Sequence, residues 1–252
     1  MESLAEIVDA RLHHLLTHTS GLRDFWGSEY EARRPELRSC RDYVELFGTR
    51  PLEFEPGSRF AYSSFGYILL GRILEILSGE DYYDLVRDQV FIPAGMIATD
   101  SLPETANVPG RATGYMRGDD CWRPNTQTLP YRGTPAGGGY STLSDLDRFA
   151  TALTNNSLLD APHTGLLMTG EIDAPEGMRY GYGFMEEVDR GLRRVGNTGG
   201  ARGMAGSFFI YPDVDWLVIV LSNRDPPAAK IVTSFVAAQL FAKCRRDDNA
   251  RS

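Results

Sequence analysis

The stretch MEEVDRGLRRVGNTGGARGMAGSFFIYPDVDWLVIVLS, from Met185 to Ser222, decides the fold class of this 252-residue chain. Its β-branched and aromatic residues fall into short runs separated by glycine, proline and aspartate, a pattern typical of strands joined by tight turns. The predicted strands are Met185–Asp189, Leu192–Thr198, Ala205–Tyr211 and Trp216–Ser222. Connections as short as Arg190-Gly191 join only antiparallel neighbours. The sequence therefore predicts an antiparallel sheet in the last third of the chain.

Helical periodicity dominates the chain before this sheet. Apolar residues recur every three or four positions, and glycine or capping residues mark the ends of each run. The first predicted helix holds Leu4 to Leu16 and stops at Ser20-Gly21. Three more run from about Ser39 to Phe47, from Ser64 to the C′ residue Gly79, and from Asp81 to Val90. The fifth begins at a capping box of Ser144 and Asp147 and runs through Leu153. The span from Ile97 to Gly138 is rich in Pro, Gly and Thr, which predicts loops.

A closing helix follows the predicted sheet. The residues expected on its buried stripe are Ile231, Val232, Phe235, Val236 and Leu240. Helices first and an antiparallel sheet afterwards indicate an α+β fold. We expect a single domain over residues 1–252, with a mainly helical lobe with loops over approximately 1–180 and the antiparallel sheet plus C-terminal helix over approximately 181–243.

Composition argues against several functional classes. The net charge of −8 and the pI near 5.1 oppose nucleic-acid binding, which depends on neutralising phosphates. The longest fully apolar stretch, Trp216 to Leu221, is far shorter than the ~20 residues that span a bilayer. The three cysteines are odd in number and widely spaced, so neither a disulfide framework nor a thiolate metal site is predicted. The first residues carry acids where a signal peptide is basic and then apolar, so none is expected and the compartment stays open.

Two histidines, His14 and His18, lie four residues apart on the first predicted helix. Such a pair can bind zinc, but no HExxH arrangement and no third ligand accompanies it. We therefore expect no metal site and no cofactor, and we expect His18 to hydrogen-bond backbone within the Thr19-Ser20-Gly21 turn.

Four segments of the chain share a pattern with one family of enzymes. They are His14–Leu22 (HLLTHTSGL), Tyr62–Gly71 (YSSFGYILLG), Gly137–Leu146 (GGGYSTLSDL) and Gly196–Gly200 (GNTGG). In these segments, their order and their spacing, the chain resembles the serine β-lactamase and penicillin-binding-protein-like hydrolases, particularly their esterase-like branch. The resemblance implies a β-lactamase/transpeptidase-like fold. It also implies hydrolysis of a small ester, amide, β-lactam or D-amino-acid peptide through an acyl-enzyme.

The resemblance assigns roles to two of these segments. Tyr62 matches the family's catalytic tyrosine, which acts as a base, and Ser64 follows it either as a substrate-binding residue or as a simple N-cap. Asn197-Thr198-Gly199 matches the family's substrate-binding Lys-Thr-Gly strand, and the Gly200 N–H would donate to the oxyanion. An uncharged Asn197 favours a neutral ester or amide over a β-lactam carboxylate, while Arg202 would restore a cation nearby. The alternatives are structural: a tyrosine packed at a loop–helix junction and a glycine-rich bulge.

The family's nucleophile motif, Ser-x-x-Lys, is absent from the sequence. Lysine occurs only at Lys230 and Lys243, and the positions three residues before them hold Pro227 and Leu240. No Gly-x-Ser-x-Gly elbow replaces the motif. The resemblance implies that the nucleophile helix and the first strands precede the segment at His14. We therefore expect the similarity to begin downstream of the nucleophile, and these residues alone to lack acyl-transfer activity.

Two explanations of this absence stay open, and with them the question of whether the chain is an enzyme. In one, the chain is a fragment or has a mis-assigned start, and an upstream stretch encodes Ser-x-x-Lys. In the other, it is a degenerate pseudoenzyme that binds a ligand or a partner without turnover. Missing strands would leave apolar surface and a sheet edge uncovered, which self-association would cover.

Overall fold

The computed structural model describes the backbone of residues 10–251 and the side chains of residues 10–244. Seven α-helices joined by loops occupy the first two-thirds of the described chain, and one helix closes it. They are α1 (Leu12–Leu16), α2 (Ser28–Arg33), α3 (Cys40–Phe47), α4 (Ser64–Ser78), α5 (Tyr82–Val86), α6 (Leu143–Thr154), α7 (Ala161–Leu167) and α8 (Ala228–Arg251). A π-helical turn, Arg87–Phe91, extends α5. The predicted helices over 39–47, 64–78 and 81–90 are confirmed, whereas the short α2 and α7 were not predicted.

The main sheet is antiparallel, and its strands follow one another in space in chain order. They are β3 (Ile172–Asp173), β4 (Arg179–Tyr180), β5 (Met185–Asp189), β6 (Leu192–Ala201), β7 (Met204–Tyr211) and β8 (Trp216–Ser222). A separate hairpin is formed by β1 (Tyr115–Arg117) and β2 (Trp122–Pro124). It lies within the span 97–138, which the sequence predicted to be loop. The antiparallel sheet and the α+β class predicted from the sequence are confirmed.

Strand β6 is longer than its sequence pattern indicates. It continues past the predicted end at Thr198 to Ala201, and the two-residue turn Arg202-Gly203 leads into β7. Glycines weaken a strand when taken alone. Here Gly199 and Gly200 pair with residues of β7 across the hairpin, so tertiary pairing overrides their low propensity.

Helix α1 ends earlier than predicted. The Thr17 hydroxyl donates to the carbonyl of His13 at 2.7 Å, and His18 adopts a left-handed backbone with φ of 55°. These features end the helix at Leu16, four residues before the predicted stop at Ser20. The predicted helical residues before position 10 lie outside the described part of the chain.

The start of α6 corrects another prediction. Thr142, not Ser144, is the N-cap, and its hydroxyl accepts the Asp145 N–H at 3.1 Å. Ser144 lies exposed in the first turn. Both Thr142/Asp145 and Ser144/Asp147 have the three-residue spacing of a capping box, so spacing alone did not separate them. The predicted left-handed C′ glycine of α4, Gly79, is confirmed with φ of 76°.

The buried face of α8 differs from the predicted stripe. Its small residues Ala229, Thr233 and Ala237 face inward together with Leu240 and pack against β7 and β8. By contrast, the larger residues Ile231 (63% exposed), Val232 (47%) and Phe235 (65%) face outward. Small side chains allow the helix to lie close to a sheet already filled by large aromatic residues. None of the helices in the described chain is long and apolar enough to span a membrane.

Candidate active site

Tyr62 lies just before α4, in a segment whose backbone is tightly held. The Ser63 hydroxyl caps α4 by accepting the Gly66 N–H at 3.3 Å. The Ser63 N–H in turn donates to Nδ1 of His18 at 3.2 Å. The Tyr62 ring rests on the His18 ring with centroids 4.1 Å apart, and 56% of the tyrosine stays exposed. Tyr62 therefore has a buried imidazole on one side and solvent on the other.

Ser64 is buried and engaged with its own chain. Its Oγ accepts the indole N–H of Trp26 at 3.2 Å, and its backbone N–H donates to Oδ2 of Asp24 at 3.1 Å. The Ser64 side chain is also close enough to the Tyr62 hydroxyl to lower its pKa. The N-cap role that the sequence allowed for Ser64 belongs to Ser63.

The environment of Tyr62 makes its hydroxyl a weaker acid. Desolvation by the surrounding protein and the Asp24 carboxylate raise its pKa, and the hydrogen bond with Ser64 only partly opposes them. A tyrosine that acts as a base at neutral pH needs a neighbouring cation that lowers its pKa. No cationic side chain is among the groups that shift this one. The phenol therefore stays protonated around neutral pH.

His18 is a structural imidazole. It is 1% exposed, and burial lowers its pKa to about 4. Accepting at Nδ1 leaves the proton on Nε2, which has no hydrogen-bond partner among the described residues. The expected partner was backbone of the Thr19-Ser20-Gly21 turn, and this is wrong: the partner is Ser63, 45 residues away.

The two histidines of the predicted pair serve separate contacts. Nδ1 of His14 accepts the N–H of Arg11 at 3.2 Å, whereas His18 faces the segment before α4. Within the described chain, no group of three His, Cys, Asp or Glu side chains could hold a metal ion.

A half-buried tyrosine of α4 and a buried tyrosine of β4 lie between the helix and the sheet. The Tyr67 hydroxyl donates to the carbonyl of Leu16 at 2.8 Å, and the nearby phenol of Tyr180 contributes to a raised pKa of Tyr67. Burial raises the pKa of Tyr180 to about 12, although the nearby side chains of Tyr67 and Asn197 lower it, so this cluster is uncharged. The ring of Tyr180 lies 4.7 Å from His18, which links the cluster to Tyr62.

The Asn197 side chain is occupied by these internal contacts. Its Nδ2 donates to the carbonyl of Gly183 at 2.8 Å, and its Oδ1 accepts the N–H of Thr198 at 2.8 Å. Asn197 therefore anchors β6 to the neighbouring loop. The position that carries a lysine in the resembling family holds a neutral connector here.

One edge of β6 is free beyond Gly196. Pairing with β5 ends at the pair Met185–Gly196, whereas pairing with β7 continues to Ala201–Met204. In a hairpin with a two-residue turn, the pair that flanks the turn, here Ala201 and Met204, is hydrogen-bonded. Along the ladder, hydrogen-bonded pairs then alternate with pairs that are not hydrogen-bonded, so the N–H groups of Gly200 and Thr198 point away from β7. Because Thr198 donates to Asn197, the Gly200 N–H is the one directed to the free edge. This is the orientation that an oxyanion donor requires.

Gly200 packs closely against the neighbouring chain. A Cβ added there would lie 2.5 Å from Cγ of Pro226, so a larger residue would require this proline to shift. Thr198 and Gly199 are exposed along the same stretch.

Arg202 lies apart from the other predicted substrate-binding residues. It occupies the exposed β6–β7 turn, and its carbonyl accepts Nδ2 of Asn125 at 2.9 Å. At about 3.3 Å per residue, five residues of strand put it roughly 16 Å from Asn197. Arg202 therefore stands at the far end of the free edge and does not replace the missing cation beside Asn197.

Comparison with known proteins shows the family to which this chain belongs. Residues 7–241 match the sequence model of the family described as Beta-lactamase. The chain belongs to the beta-lactamase family. Penicillin-binding protein 4* of Bacillus subtilis is 29% identical over 234 residues, which cover 85% of this chain and 51% of that protein. A D-aminopeptidase of Cereibacter sphaeroides is 26% identical over 241 residues, covering 91% of this chain and 45% of the relative.

The solved penicillin-binding protein from Bacillus halodurans has the same fold as this beta-lactamase-family chain. The TM-score is 0.86 at 29% identity, over 94% of this chain and 76% of the other. The β-lactamase/transpeptidase-like fold implied by the resemblance is thereby confirmed. The chain spans about half the length of the curated relatives that it matches.

Three residues of this beta-lactamase-family site escaped the sequence analysis. Asp24 and Trp26 reach Ser64 across 40 and 38 residues of chain, and Tyr180 enters from a two-residue strand. The Asp-Phe-Trp run at residues 24–26, shortly after the HLLTHTSGL segment, was the available signal.

Proposed function

We propose that this chain carries the tyrosine-and-strand side of a serine-hydrolase site and does not turn over substrate by itself. The observation that carries the proposal is that both serines beside Tyr62 are engaged within the chain, Ser63 as the cap of α4 and Ser64 with the Trp26 indole. Tyr62 would act as the base-equivalent residue and Gly200 as the oxyanion donor. Both roles require a nucleophile that the 252 residues do not contain.

The serines next to Tyr62 are poor substitutes for that nucleophile. Ser63 caps α4 and Ser64 is buried under the Trp26 indole. Neither has a base beside it, because His18 is already bonded to the Ser63 backbone and the Tyr62 phenol is protonated. Acyl transfer needs an activated hydroxyl, so the chain alone lacks the first chemical step.

The proposed substrate class is a small neutral ester, amide or D-amino-acid peptide. The relatives include a protein named as a D-aminopeptidase. The strand that would bind substrate offers backbone groups and a neutral Asn197, without a lysine or histidine to bind a carboxylate. Arg202, at the end of the free edge, would contact only a substrate long enough to reach the turn.

Steady-state hydrolysis tests this proposal. The purified chain is assayed with p-nitrophenyl acetate and with D-alanine p-nitroanilide, beside the variant Tyr62→Phe and buffer. We expect all three ester rates to agree within twofold and no release from the anilide. A wild-type rate tenfold or more above the Tyr62→Phe rate, in two independent preparations, would contradict the proposal.

A second candidate function is a ligand-binding protein without turnover. The observation that favours it is that Ser64, Asn197 and the Ser63 N–H are all hydrogen-bonded within the chain. The surface around Tyr62 is therefore formed without any added group. Calorimetric titration with N-acetyl-D-alanine amide, a neutral ligand, would show saturable binding that Tyr62→Ala removes while the melting temperature is unchanged. Absence of binding at millimolar ligand would reject this candidate.

A further inference from the structure

Three exposed arginines lie around the end of β6. Arg117 belongs to the hairpin strand β1, Arg202 to the β6–β7 turn and Arg224 to the segment after β8. One carboxylate connects their backbones, because Asp225 accepts the Arg117 N–H at 2.6 Å and the Gly203 N–H at 2.7 Å. Arg202 precedes Gly203 and Arg224 precedes Asp225, and consecutive Cα atoms are about 3.8 Å apart. The three arginines therefore share one small surface, called the arginine surface below.

The charges of the arginine surface are not neutralised within the described chain. None of its three guanidinium groups forms an ion pair with a described side chain. The acid at the centre, Asp225, is occupied by backbone: the hydrogen bonds from Arg117 and Gly203 lower its pKa, and the charge of Arg202 adds to the shift. Asp119 and Asp120, in the hairpin turn, form no ion pair with these arginines. Unpaired guanidinium groups gathered in this way are suited to bind a carboxylate.

An indole ring belongs to the same surface. Trp122 pairs with Arg117 across the hairpin, so the two side chains lie on one face of it. Arg224 lies over the indole, with Cζ 4.8 Å from the ring centroid, and Trp122 is 44% exposed. The next residue, Arg123, pairs with Met116 and lies on the opposite face. One face of the hairpin therefore contributes to the arginine surface and the other does not.

The arginine surface adjoins the free edge of β6. Pro226 packs on Gly200, so the segment that carries Arg224 reaches the strand beside the candidate oxyanion donor. Arg202 follows Gly200 by two residues, about 7 Å along a strand. A peptide that continued the line of β5 along this edge would run antiparallel to β6, as β5 does. The peptide residues before a carbonyl held at Gly200 would then lie toward Arg202.

We propose that the arginine surface binds a carboxylate carried by a peptide ligand two residues before the carbonyl that Gly200 holds. The inference rests on the proposed function for the position of that carbonyl, and it adds an acidic side chain to the proposed substrate class. In an extended ligand this residue pairs with Arg202, so its side chain is within reach of Arg117 and Arg224. The reacting end of the ligand stays neutral, in keeping with the neutral Asn197.

Calorimetric titration of the 252-residue chain with two peptides of equal length tests the proposal. They are N-acetyl-Glu-Gly-D-alanine amide and its Gln analogue, which differ in one carboxylate. We expect the Glu peptide to bind at least fivefold more tightly at low salt, and this preference to shrink at 0.5 M NaCl because salt screens exposed charges. With the acid on the other side, N-acetyl-D-Ala-Gly-Glu amide should bind no more tightly than its own Gln analogue.

Substitutions separate the arginine surface from the rest of the hairpin. The double variant Arg117→Gln/Arg224→Gln should reduce the preference for the Glu peptide below twofold and leave the affinity for the Gln peptide within twofold of the wild type. Arg123→Gln is the matched control, because Arg123 is exposed, forms no ion pair with a described side chain and lies on the opposite face. It should keep the full preference. Melting curves confirm that each variant is folded.

The outcomes distinguish this proposal from the proposed function. Equal affinities for the two peptides, no binding of either at 5 mM, a preference that survives the double variant, or equal loss in Arg123→Gln would each overturn the proposal. Tyr62→Ala should weaken both peptides and leave their ratio unchanged. A preference that requires Arg117 and Arg224 while Tyr62→Ala changes neither affinity would leave the carboxylate site standing and reject the site proposed around Tyr62.

Discussion

The imidazole of His18 supports the tyrosine of the candidate site from its buried side. One hydrogen bond, from Ser63 to Nδ1, fixes the backbone before α4, and ring contacts with Tyr62 and Tyr180 join the helical part to the sheet. These contacts suit a neutral ring, because a buried imidazolium would need a charged or polar partner at Nε2. The residue therefore titrates differently in the folded and unfolded chain.

We expect this difference to make stability pH-dependent between about pH 6.5 and 4. The unfolded histidine titrates near 6.5, whereas the folded one has a pKa of about 4. Within that window the unfolded state binds more protons, so the free energy of unfolding decreases as pH falls, by about 2–3 kcal/mol from this group. Urea denaturation at steps from pH 7.5 to 4.5 measures it.

His18→Asn is the variant that isolates this contribution. Asparagine tolerates the left-handed backbone at φ of 55° and still offers an acceptor to Ser63. Between about pH 6.5 and 4, the free energy of unfolding of this variant should decrease by about 2–3 kcal/mol less than that of the wild type. Parallel pH dependences in the two proteins would show that His18 does not titrate as described.

The hydroxyl of Tyr180 gives a second prediction at this scale. Tyr180→Phe removes a buried hydroxyl that lies near the polar side chains of Tyr67 and Asn197, and we expect a loss of about 1–3 kcal/mol in the free energy of unfolding. Tyr115→Phe, at a 39% exposed ring, is the control and should change it by less than about 0.5 kcal/mol. Chemical denaturation compares the two, and equal effects would argue against this role of the Tyr180 hydroxyl.

At the scale of elements, sequence patterns located most helices and strands but not all of their faces. Strands β5 and β8 have the predicted bounds because their alternation and turn residues are local signals. The buried face of α8 was predicted only in part: Leu240 is buried as expected, but at the start of the helix the small Ala229 faces the sheet while the larger Ile231 and Phe235 face outward. Contact with Asp24 and Trp26 depends on residues about 40 positions away, which no local pattern reports.

Two glycines of helices provide a matched prediction. Gly79 ends α4 with φ of 76°, and Gly165 lies inside α7, and a Cβ added at either position would meet no atom within 4 Å. Gly79→Ala should lower the free energy of unfolding by about 1 kcal/mol, because alanine is strained in the left-handed region. Gly165→Ala should raise it by about 0.5–1 kcal/mol through helix propensity. Effects of the same sign would contradict the assigned backbone conformations.

At the scale of the whole molecule, membership in the beta-lactamase family accounts for the fold, and the missing motif accounts for the proposed inactivity. The order of helical and strand patterns predicted the α+β class, and the four family segments implied the β-lactamase/transpeptidase-like fold. They also led to Tyr62 and Asn197, which the fold links through His18 and Tyr180. Sequencing the DNA upstream of the codon for Met1 would show whether a Ser-x-x-Lys motif is encoded there.

Intact-mass spectrometry after treatment with a fluorophosphonate ester tests the central claim most directly. Such reagents modify an activated serine covalently, whatever the natural substrate. We predict an unchanged mass for the folded 252-residue chain, equal to that of the Tyr62→Phe variant. A stoichiometric adduct that peptide mapping places on one serine, and that forms more slowly in Tyr62→Phe, would show that the chain contains its own nucleophile.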